Sequence, residues 1–432
     1  MRAQHSNRRG ARRIVAAVAA SALAATLLAA CGGGESDKPV LTWYINPDPP
    51  PPPDFEGAFG QAGIAERCST DEYAIETQIL PQSATEQRIQ MLRRLAAQDP
   101  EIDLMSLDPV FTAEFAEADY LAKIPPELSE GVLQGSIDGA SWAGGLVVAP
   151  LWANTQILWY RKSMAEAAGL DMSQPVTWEQ VIDAADSEGG KVGVQANKYE
   201  GYVVWINALI ASAGGAIMTD TDQGDEAKVT IDSDAGREAA AVVQKLAGSS
   251  SAEADLSVSN EGTVIGPFAD PGGFMVNWTF IYNTIKPDKK TFEDLGFARY
   301  PATVEGEVSK PPIGGINIGV SKYSDETELA TAALDCITSE ENQATYAVET
   351  GNMPASEAAY DDPELRKQFP EELLTLWLDS IDTAGPRPPS PYWGTIVNAV
   401  LNNWHPADEV GENTPKENAT FIENVLSGDA LL

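Results

Sequence analysis

Histidine is almost absent from this chain of 432 residues, which contains only His5 and His405. His5 falls within an N-terminal segment that we interpret below as a leader, so the mature protein would keep His405 alone. A single histidine excludes a His-rich metal site, and hydrolysis by a Ser-His or Cys-His pair would depend entirely on His405. We therefore expect no metal site and no cofactor, and we assign no catalytic residue.

Basic residues are also scarce. The chain has 28 Lys and Arg residues against 64 Asp and Glu residues, and five of the arginines lie within the first 13 residues. The remaining 23 basic residues would leave a mature chain with a net charge near −41. So acidic a surface repels nucleic acid and anionic lipid headgroups, and it disfavours anionic substrates unless a local basic site exists. We expect no nucleic-acid partner.

Long apolar runs are limited to one, over residues 14–30, which follows the five arginines and ends in Leu28-Ala29-Ala30-Cys31. These features are typical of a signal peptide, and a cysteine after Leu-Ala-Ala is the bacterial lipobox. A retained transmembrane helix is the alternative, although about 17 mostly alanine residues are few and weakly hydrophobic for a span. We predict a signal peptide over 1–30, lipidation of Cys31 and a flexible tether over 31–38. The protein would then be anchored by lipid alone at the extracellular face of a bacterial membrane.

Only three cysteines are present, and lipidation of Cys31 would leave Cys68 and Cys336. Outside the cell these two can pair, so we predict a Cys68–Cys336 disulfide that brings two distant parts of the chain into one lobe. Two buried free thiols are the alternative.

The length and the pattern of the mature chain predict a two-lobed α/β protein. Strand-like segments alternate with helix-like ones from residue 40 to residue 122, which indicates a parallel sheet with its loops at the strand C-termini. Residues 147–160 form an apolar segment suited to crossing between lobes, and residues 313–320 read as a strand returning to the first lobe. We predict lobe 1 over 39–150 and 313–355, and lobe 2 over 151–312 and 356–432.

Short motifs in a fixed order resemble a known family. They are Trp152-Ala153-Asn154, Pro175-Val176-Thr177-Trp178-Glu179, Val276-Asn277-Trp278 and Gly314-Gly315-Ile316-Asn317. Together with the lipobox and the α/β pattern, they resemble the cluster-D sugar-binding proteins of ABC importers over essentially the whole mature chain. Within that family, blocks such as Glu86-Gln87-Arg88 and Gln195-Ala196-Asn197 are most similar to mycobacterial trehalose-binding lipoproteins. The resemblance implies a type II periplasmic-binding-protein-like fold, with a sugar cleft between two lobes joined by hinge crossovers.

The resemblance also implies a set of ligand-binding residues that match the family's motifs. They are Glu56, Gln87, Asp108, Asn154, Glu261, Trp278 and Arg387. Tyr392 and Trp393 are additional candidates for stacking on a sugar, and Gly315 is a candidate for close backbone approach. The run Pro49 to Pro53 departs from the family pattern and is a rigid insertion beside the loop that carries Glu56.

The chemistry of these residue types suits a sugar. Carboxylates, amides and an Arg guanidinium bind hydroxyl groups in pairs, and an aromatic ring covers the apolar face of a pyranose. Structural roles remain open for the same residues: Asp108 could cap the next helix, Trp278 could belong to the core, and Arg387 could pair with a structural acid.

The function implied is capture, not catalysis. A sugar would bind one lobe and favour a hinge-closed state that docks on a permease pair. The chain has no Gly-x-x-x-x-Gly-Lys-Ser/Thr motif, so a separate subunit would supply the ATPase. We expect a monomer that binds trehalose or a related α-linked disaccharide. The alternatives are a binder of another oligosaccharide, a peptide, a polyamine or a glycerophosphodiester, and a secreted glycoside hydrolase whose two carboxylates would flank one bond.

Overall fold

The computed structural model describes residues 38–430. The predicted signal peptide, the predicted lipidation site at Cys31 and nearly all of the predicted tether lie outside the described residues. Within 38–430, no helix is long and apolar enough to cross a membrane, and no three His, Cys, Asp or Glu side chains are grouped so that they could hold a metal ion.

The described chain contains one large mixed sheet and two short hairpins. The sheet has the strand order β2-β1-β3-β12-β6-β10-β7, and β11 also pairs with β6. The strands are β1 Val40–Ile45, β2 Ala74–Ile79, β3 Leu104–Leu107, β4 Ser141–Trp142, β5 Gly145–Leu146, β6 Ala149–Arg161, β7 Lys191–Gly193, β8 Met218–Thr219, β9 Lys228–Val229, β10 Gly273–Trp278, β11 Leu295–Ala298 and β12 Ile313–Val320.

Helices cover both faces of the sheet and continue to the C-terminus. The α-helices are α1 Gln61–Cys68, α2 Ala84–Ala96, α3 Thr112–Glu117, α4 Gln134–Ala140, α5 Lys162–Ala167, α6 Trp178–Glu188, α7 Glu200–Ser212, α8 Asp234–Ala247, α9 Ile265–Ala269, α10 Ile281–Ile285, α11 Lys289–Glu293, α12 Thr327–Ile337, α13 Glu340–Thr350, α14 Pro363–Gln368, α15 Glu371–Asp382, α16 Trp393–Trp404 and α17 Thr414–Leu426. Short 3-10 helices lie at Pro109–Phe111, Pro126–Ser129, Thr221–Glu226, Leu256–Val258, Ala358–Asp361 and Ala407–Glu409.

The first lobe, as we use the term, consists of β1, β2, β3 and β12 with the helices packed on them. Side chains alternate along β1, so Leu41 and Trp43 face a core shared with α1 and α12, whereas Tyr44 faces the core beneath α2. The strands β1, β2 and β3 are parallel, as the strand-helix alternation predicts, but β12 is antiparallel to β3. The sheet is therefore mixed, because β12 returns from the other lobe.

Strand β6 connects the two lobes. Its first half, up to Thr155, pairs antiparallel with β12 in the first lobe, and its second half, from Gln156, pairs with β10. This arrangement confirms the prediction that residues 147–160 cross between lobes, and β12 confirms the predicted return strand. The predicted lobe boundaries themselves stay a prediction.

The second lobe, as we use the term, consists of β7, β10 and β11 with the helices around them. Helices α6, α7, α8 and α16 share one apolar core on one side of the sheet, and α9, α10 and α15 belong to another core on the opposite side. Trp178, Trp205 and Trp404 are fully buried in the first of these cores, and Trp377 is fully buried in the second.

Cys68 and Cys336 form a disulfide, with their Cα atoms 5.7 Å apart. The bond joins the end of α1 to α12, and both helices pack on the same face of the first lobe. The predicted pairing is confirmed, and residues near 68 and 336 do lie in one lobe.

Three helix starts show how local signals succeed or fail. Thr177 and Gln180 form a reciprocal capping box at the start of α6, where the sequence predicts a helix. The run Ser83-Ala84-Thr85-Glu86 has the pattern of a capping box and predicts one at the start of α2, but the Ser83 side chain makes no capping hydrogen bond, so this prediction is wrong. The sequence also predicts a helix over 57–68, whereas α1 begins only at Gln61, because Gly57 and Gly60 have positive φ angles of 96° and 63°.

Candidate ligand-binding site

Arg387 joins the two lobes through carboxylates. It lies among prolines between α15 and α16 and is 5% exposed. Its Nη2 donates to Asp108 Oδ1 at 2.7 Å and its Nη1 to Asp108 Oδ2 at 3.3 Å, while Nη1 also donates to Glu200 Oε1 at 2.8 Å. Asp108 follows β3 at the carboxyl edge of the first-lobe sheet, and Glu200 is the first residue of α7 in the second lobe. The guanidinium therefore bridges a carboxylate of each lobe.

Asp108 has a second contact that fixes its position. Its Oδ1 accepts a hydrogen bond from the backbone N–H of Val110 at 3.2 Å, and it caps the 3-10 helix at Pro109–Phe111. The capping role and the contact with Arg387 occur together, because a carboxylate has enough lone pairs for both.

Glu200 is buried behind Arg387. Its Oε1 also accepts from the indole Nε1 of Trp393 at 3.1 Å, and both side chains are withdrawn from solvent. Burial raises the pKa of the Glu200 carboxyl to about 7, although the Arg387 charge opposes that rise. Trp393 is fully buried, so in this structure it touches the site through Glu200 and not as an exposed stacking surface.

A second group of candidate residues surrounds the end of β10. The Glu261 carboxylate accepts from the Tyr199 hydroxyl at 2.6 Å, and the Glu261 carbonyl accepts from Asn277 Nδ2 at 2.9 Å. Asn277 Oδ1 in turn accepts from the backbone N–H of Trp278. Burial raises the pKa of the Glu261 carboxyl. Because Tyr199 and Glu200 are neighbours in sequence, the start of α7 links this group to the Arg387 group.

Trp278 lies against the glycines of β12. A Cβ atom at Gly314 would stand 3.0 Å from two atoms of the Trp278 ring, so the ring packs on bare backbone. Gly315 has a φ angle of 123°, and a Cβ atom there would stand 2.1 Å from the carbonyl oxygen of Trp152. The close backbone approach expected at Gly315 is thus made to β6.

Asn154 has both ends of its amide engaged within the protein. Its Nδ2 donates to Asn352 Oδ1 at 3.1 Å, and its Oδ1 accepts from the Thr279 hydroxyl at 2.9 Å. Asn352 continues to the Tyr346 hydroxyl, which donates to Asp48 at 2.6 Å. This chain of hydrogen bonds runs through the crossover and uses one of the two N–H groups of Asn154 Nδ2.

The remaining candidates lie apart from these two groups. Gln87 is buried, and its Nε2 donates to the Pro81 carbonyl at 2.7 Å. Glu56 is exposed on the loop that carries Pro49 to Pro53. Tyr392 is 40% exposed and lies near Gly224, at the start of α16. The structure thus brings together Asp108, Arg387 and Trp393 around Glu200, and Glu261 with Trp278 around Asn277.

Sequence reasoning missed Glu200, Tyr199 and Asp48. Asp48 is a buried carboxylate held by Gln61 and Tyr346, and burial raises its pKa to about 6. For Glu200 the sequence did contain a signal: this acidic residue begins a helix, α7, whose other residues are almost all apolar. An ionisable group in such a helix needs a partner when it is buried. Nothing in the sequence says that the partner is Arg387, 187 positions away.

Gly394 allows the two lobes to come together. A Cβ atom at Gly394, in α16, would stand 2.0 Å from Cζ of Arg88, in α2. Arg88 is bound through two hydrogen bonds to Glu114 and lies 5.9 Å from the centroid of the Phe111 ring, so it cannot move without losing these contacts. Arg88 can therefore approach α16 this closely only because residue 394 is a glycine and has no Cβ atom.

We expect Gly394→Ala to weaken ligand binding by about tenfold, because the methyl group displaces Arg88 and opposes closure, and to lower the free energy of unfolding through the lost contacts between Arg88 and Glu114. Calorimetry would give the affinity, and small-angle X-ray scattering would give the radius of gyration with ligand. Gly266→Ala is the matched control, since a Cβ at that helical glycine meets open space. Unchanged affinity and radius in Gly394→Ala would contradict this account.

The sequence matches a known protein family. The model of the bacterial extracellular solute-binding proteins matches residues 71–344, more than half of the chain. The chain belongs to that family. A relative is a probable ABC transporter-binding protein of Deinococcus radiodurans, which is 22% identical over 291 residues, 64% of this chain and 68% of the relative.

Solved solute-binding proteins share the fold. The maltose-bound MalE3 protein of T. maritima is 22% identical, with a TM-score of 0.74 over 90% of this chain and 100% of its own. The acarbose-binding GacH receptor of Streptomyces glaucescens is 20% identical, with a TM-score of 0.74 over 91% and 100%. A solute-binding protein of Agrobacterium radiobacter, solved with ribitol, is 16% identical, with a TM-score of 0.74 over 90% and 99%. The predicted two-lobe α/β fold is confirmed, and this family is one of extracellular binding proteins.

Proposed function

We propose that this chain is the lipid-anchored, sugar-capturing component of an ABC importer, with trehalose or a related α-linked disaccharide as its ligand. The observation that carries the proposal is the bridge from Asp108 of the first lobe through Arg387 to Glu200 of the second. A ligand inserted between Asp108 and Arg387 would contact both lobes at once, and this is the condition for ligand-driven closure.

The groups at this bridge suit hydroxyl-rich ligands. Asp108 can accept two hydroxyl hydrogens, the guanidinium can donate to two oxygens, and the partly exposed ring of Trp278 offers a face for a pyranose. The resemblance to trehalose-binding lipoproteins and the sugars and polyols in the names of the structural relatives support the same ligand class. In this proposal the protein is a monomer that a lipid anchor holds at the membrane. It delivers the sugar to a permease pair, which works with a separate ATPase subunit.

The test is a thermal-shift screen followed by calorimetry on residues 33–432, since the chain from Lys38 onward forms one compact unit. The panel would contain trehalose, maltose, sucrose, an amino-acid mixture, a peptide mixture and a glycerophosphodiester. A true ligand at 100 times its Kd should stabilise the protein by about 2.7 kcal/mol. We expect trehalose or another α-glucoside to do so.

Two variants locate the response. Asp108→Ala should abolish the shift, whereas Asp138→Ala, at an exposed carboxylate of the same lobe, should leave it intact. Stabilisation by a peptide or a phosphodiester alone would contradict the sugar proposal. Release of glucose during the incubation would indicate a glycoside hydrolase instead of a binding protein.

A further inference from the structure

The charge at the Arg387 bridge is unbalanced toward the negative side. One guanidinium is shared by two carboxylates, and Glu200 is 2% exposed. Glu200 Oε2 is also buried without a hydrogen-bond partner, as is Arg387 Nε. Among the described residues, no second Lys or Arg joins this group through a salt bridge.

This imbalance has a consequence for ligand charge. The positive charge of Arg387 is already neutralised by the carboxylates of Asp108 and Glu200. An anionic ligand group would therefore lose its hydration at this site without gaining an unpaired positive charge, which costs free energy. A hydroxyl group carries no such cost, because it can donate to Asp108 and accept from the guanidinium. Glu200 is the deeper of the two carboxylates: its side chain is 2% exposed, whereas that of Asp108 is 19% exposed.

We propose that Glu200 is the specificity-determining residue that makes this site select uncharged polyhydroxylated ligands and reject anionic ones, such as sugar phosphates and sugar acids. The inference rests on the proposed sugar-binding function and deepens it. Glu200 acts here as a positioning residue: it holds the Arg387 guanidinium and the Trp393 indole in place and cancels the charge that would otherwise attract an anion.

The titration of Glu200 gives the inference a second readout. The charged and titratable groups around it are Arg387 and Asp108, together with Tyr199, whose hydroxyl binds Glu261. Burial raises the pKa of Glu200 to about 7, so the ionised fraction of this carboxyl decreases as the pH falls from 8 to 6. Rejection of anions should therefore weaken as the pH falls from 8 to 6.

The experiment measures, by calorimetry, the affinities for trehalose and trehalose 6-phosphate and for maltose and maltobionate. Glu200→Gln keeps the shape and an acceptor oxygen but removes the charge. At pH 8 we expect the ratio of neutral to anionic affinity to fall by about tenfold or more in this variant, as one nearby unit charge is lost. For maltose against maltobionate, whose carboxylate stays ionised over this range, the ratio should depend on pH in the unmodified protein and be nearly flat in the variant. Trehalose 6-phosphate is compared at pH 8 only, because its phosphate titrates at about pH 6.

Glu253→Gln is the matched control, since Glu253 is a half-buried carboxylate of the second lobe that lines a separate cavity with Asp255 and Asp408. It should leave the ratio unchanged. An unchanged ratio in Glu200→Gln, or an equal loss of both ligands, overturns the inference. A ratio of neutral to anionic affinity that does not change with pH in the unmodified protein also overturns the inference. This measurement does not depend on whether a variant folds. Failure of the unmodified protein to bind any neutral sugar would instead overturn the proposed function.

Discussion

Replacing Arg387 by Met is expected to lower ligand affinity by about 100-fold or more and to destabilise the folded protein. The substitution keeps an apolar stem of similar length but leaves Asp108 and Glu200 without their shared cation. Breaking a buried ion pair by removing one partner typically costs about 3–5 kcal/mol. Affinity should fall as well, because in the proposed function Arg387 is a bidentate donor to the ligand and the bridge between the lobes.

The loss of stability in Arg387→Met should depend on pH with a definite sign. The pKa of Glu200 is raised by burial to about 7, so the folded state binds a proton more tightly than the unfolded state. Stability attributable to this group is therefore present at low pH and is lost as the pH rises from about 4.5, the ordinary value for Glu, toward the folded pKa. Without Arg387 that pKa rises further, so the deficit should be largest near pH 8 and smallest near pH 5.5.

Chemical denaturation across this pH range and calorimetry with the best ligand of the panel would measure both effects. Arg161→Met is the control: Arg161 is also a buried arginine, and it binds Asp294 and the Ala269 carbonyl in the second lobe. This control should lose stability and keep its ligand affinity. If Arg387→Met bound ligand as tightly as Arg161→Met, the bridge would have no role in binding.

Removal of the disulfide by Cys68→Ser with Cys336→Ser is expected to lower the free energy of unfolding by about 2–5 kcal/mol, near the upper end for a native bond. The bond closes a loop with a sequence separation of 268, so it restricts the unfolded chain strongly. It also fixes α1 to α12, and both helices cover the same core of the first lobe. Affinity per folded molecule should not change, because no candidate ligand residue contacts the bond.

Thermal denaturation with and without a reductant would measure this effect. The reduced unmodified protein should melt together with the double variant, whose melting should not respond to the reductant. Equal melting of the oxidised protein and the double variant would show that the bond contributes little to stability.

Much of the fold could be predicted because its signals are local. The apolar run at 40–45 predicts β1, the alternation over 73–80 predicts β2, the apolar segment at 147–160 predicts the crossing strand β6, and Thr177 with Gln180 predicts the start of α6. Where prediction failed, a longer-range contact or a special backbone angle had intervened. Positive φ angles delay α1 to Gln61, and the return of β12 turns a parallel sheet into a mixed one.

The candidate site was predictable in composition but not in arrangement. The motif resemblance implied Asp108, Arg387 and Trp278 as ligand-binding residues, and these roles stay predictions; the structure adds that Arg387 contacts Asp108 across the two lobes. The resemblance did not show that the Asn154 amide already binds Asn352 and Thr279. A sequence lists the donors and acceptors, whereas only the folded chain shows which of them have already satisfied one another.

The sequence by itself determined the acidic charge, the scarcity of histidine, the two-lobe α/β order and the pair of cysteines available for a disulfide. These properties follow from composition and from spacing of two to four residues. The tertiary structure alone decided that Glu200 stands behind Arg387, that Tyr199 reaches Glu261 and that Gly394 makes room for Arg88. Each of these contacts joins residues far apart in the chain, and their geometry is set by how the helices pack on the shared sheet, which no local pattern records.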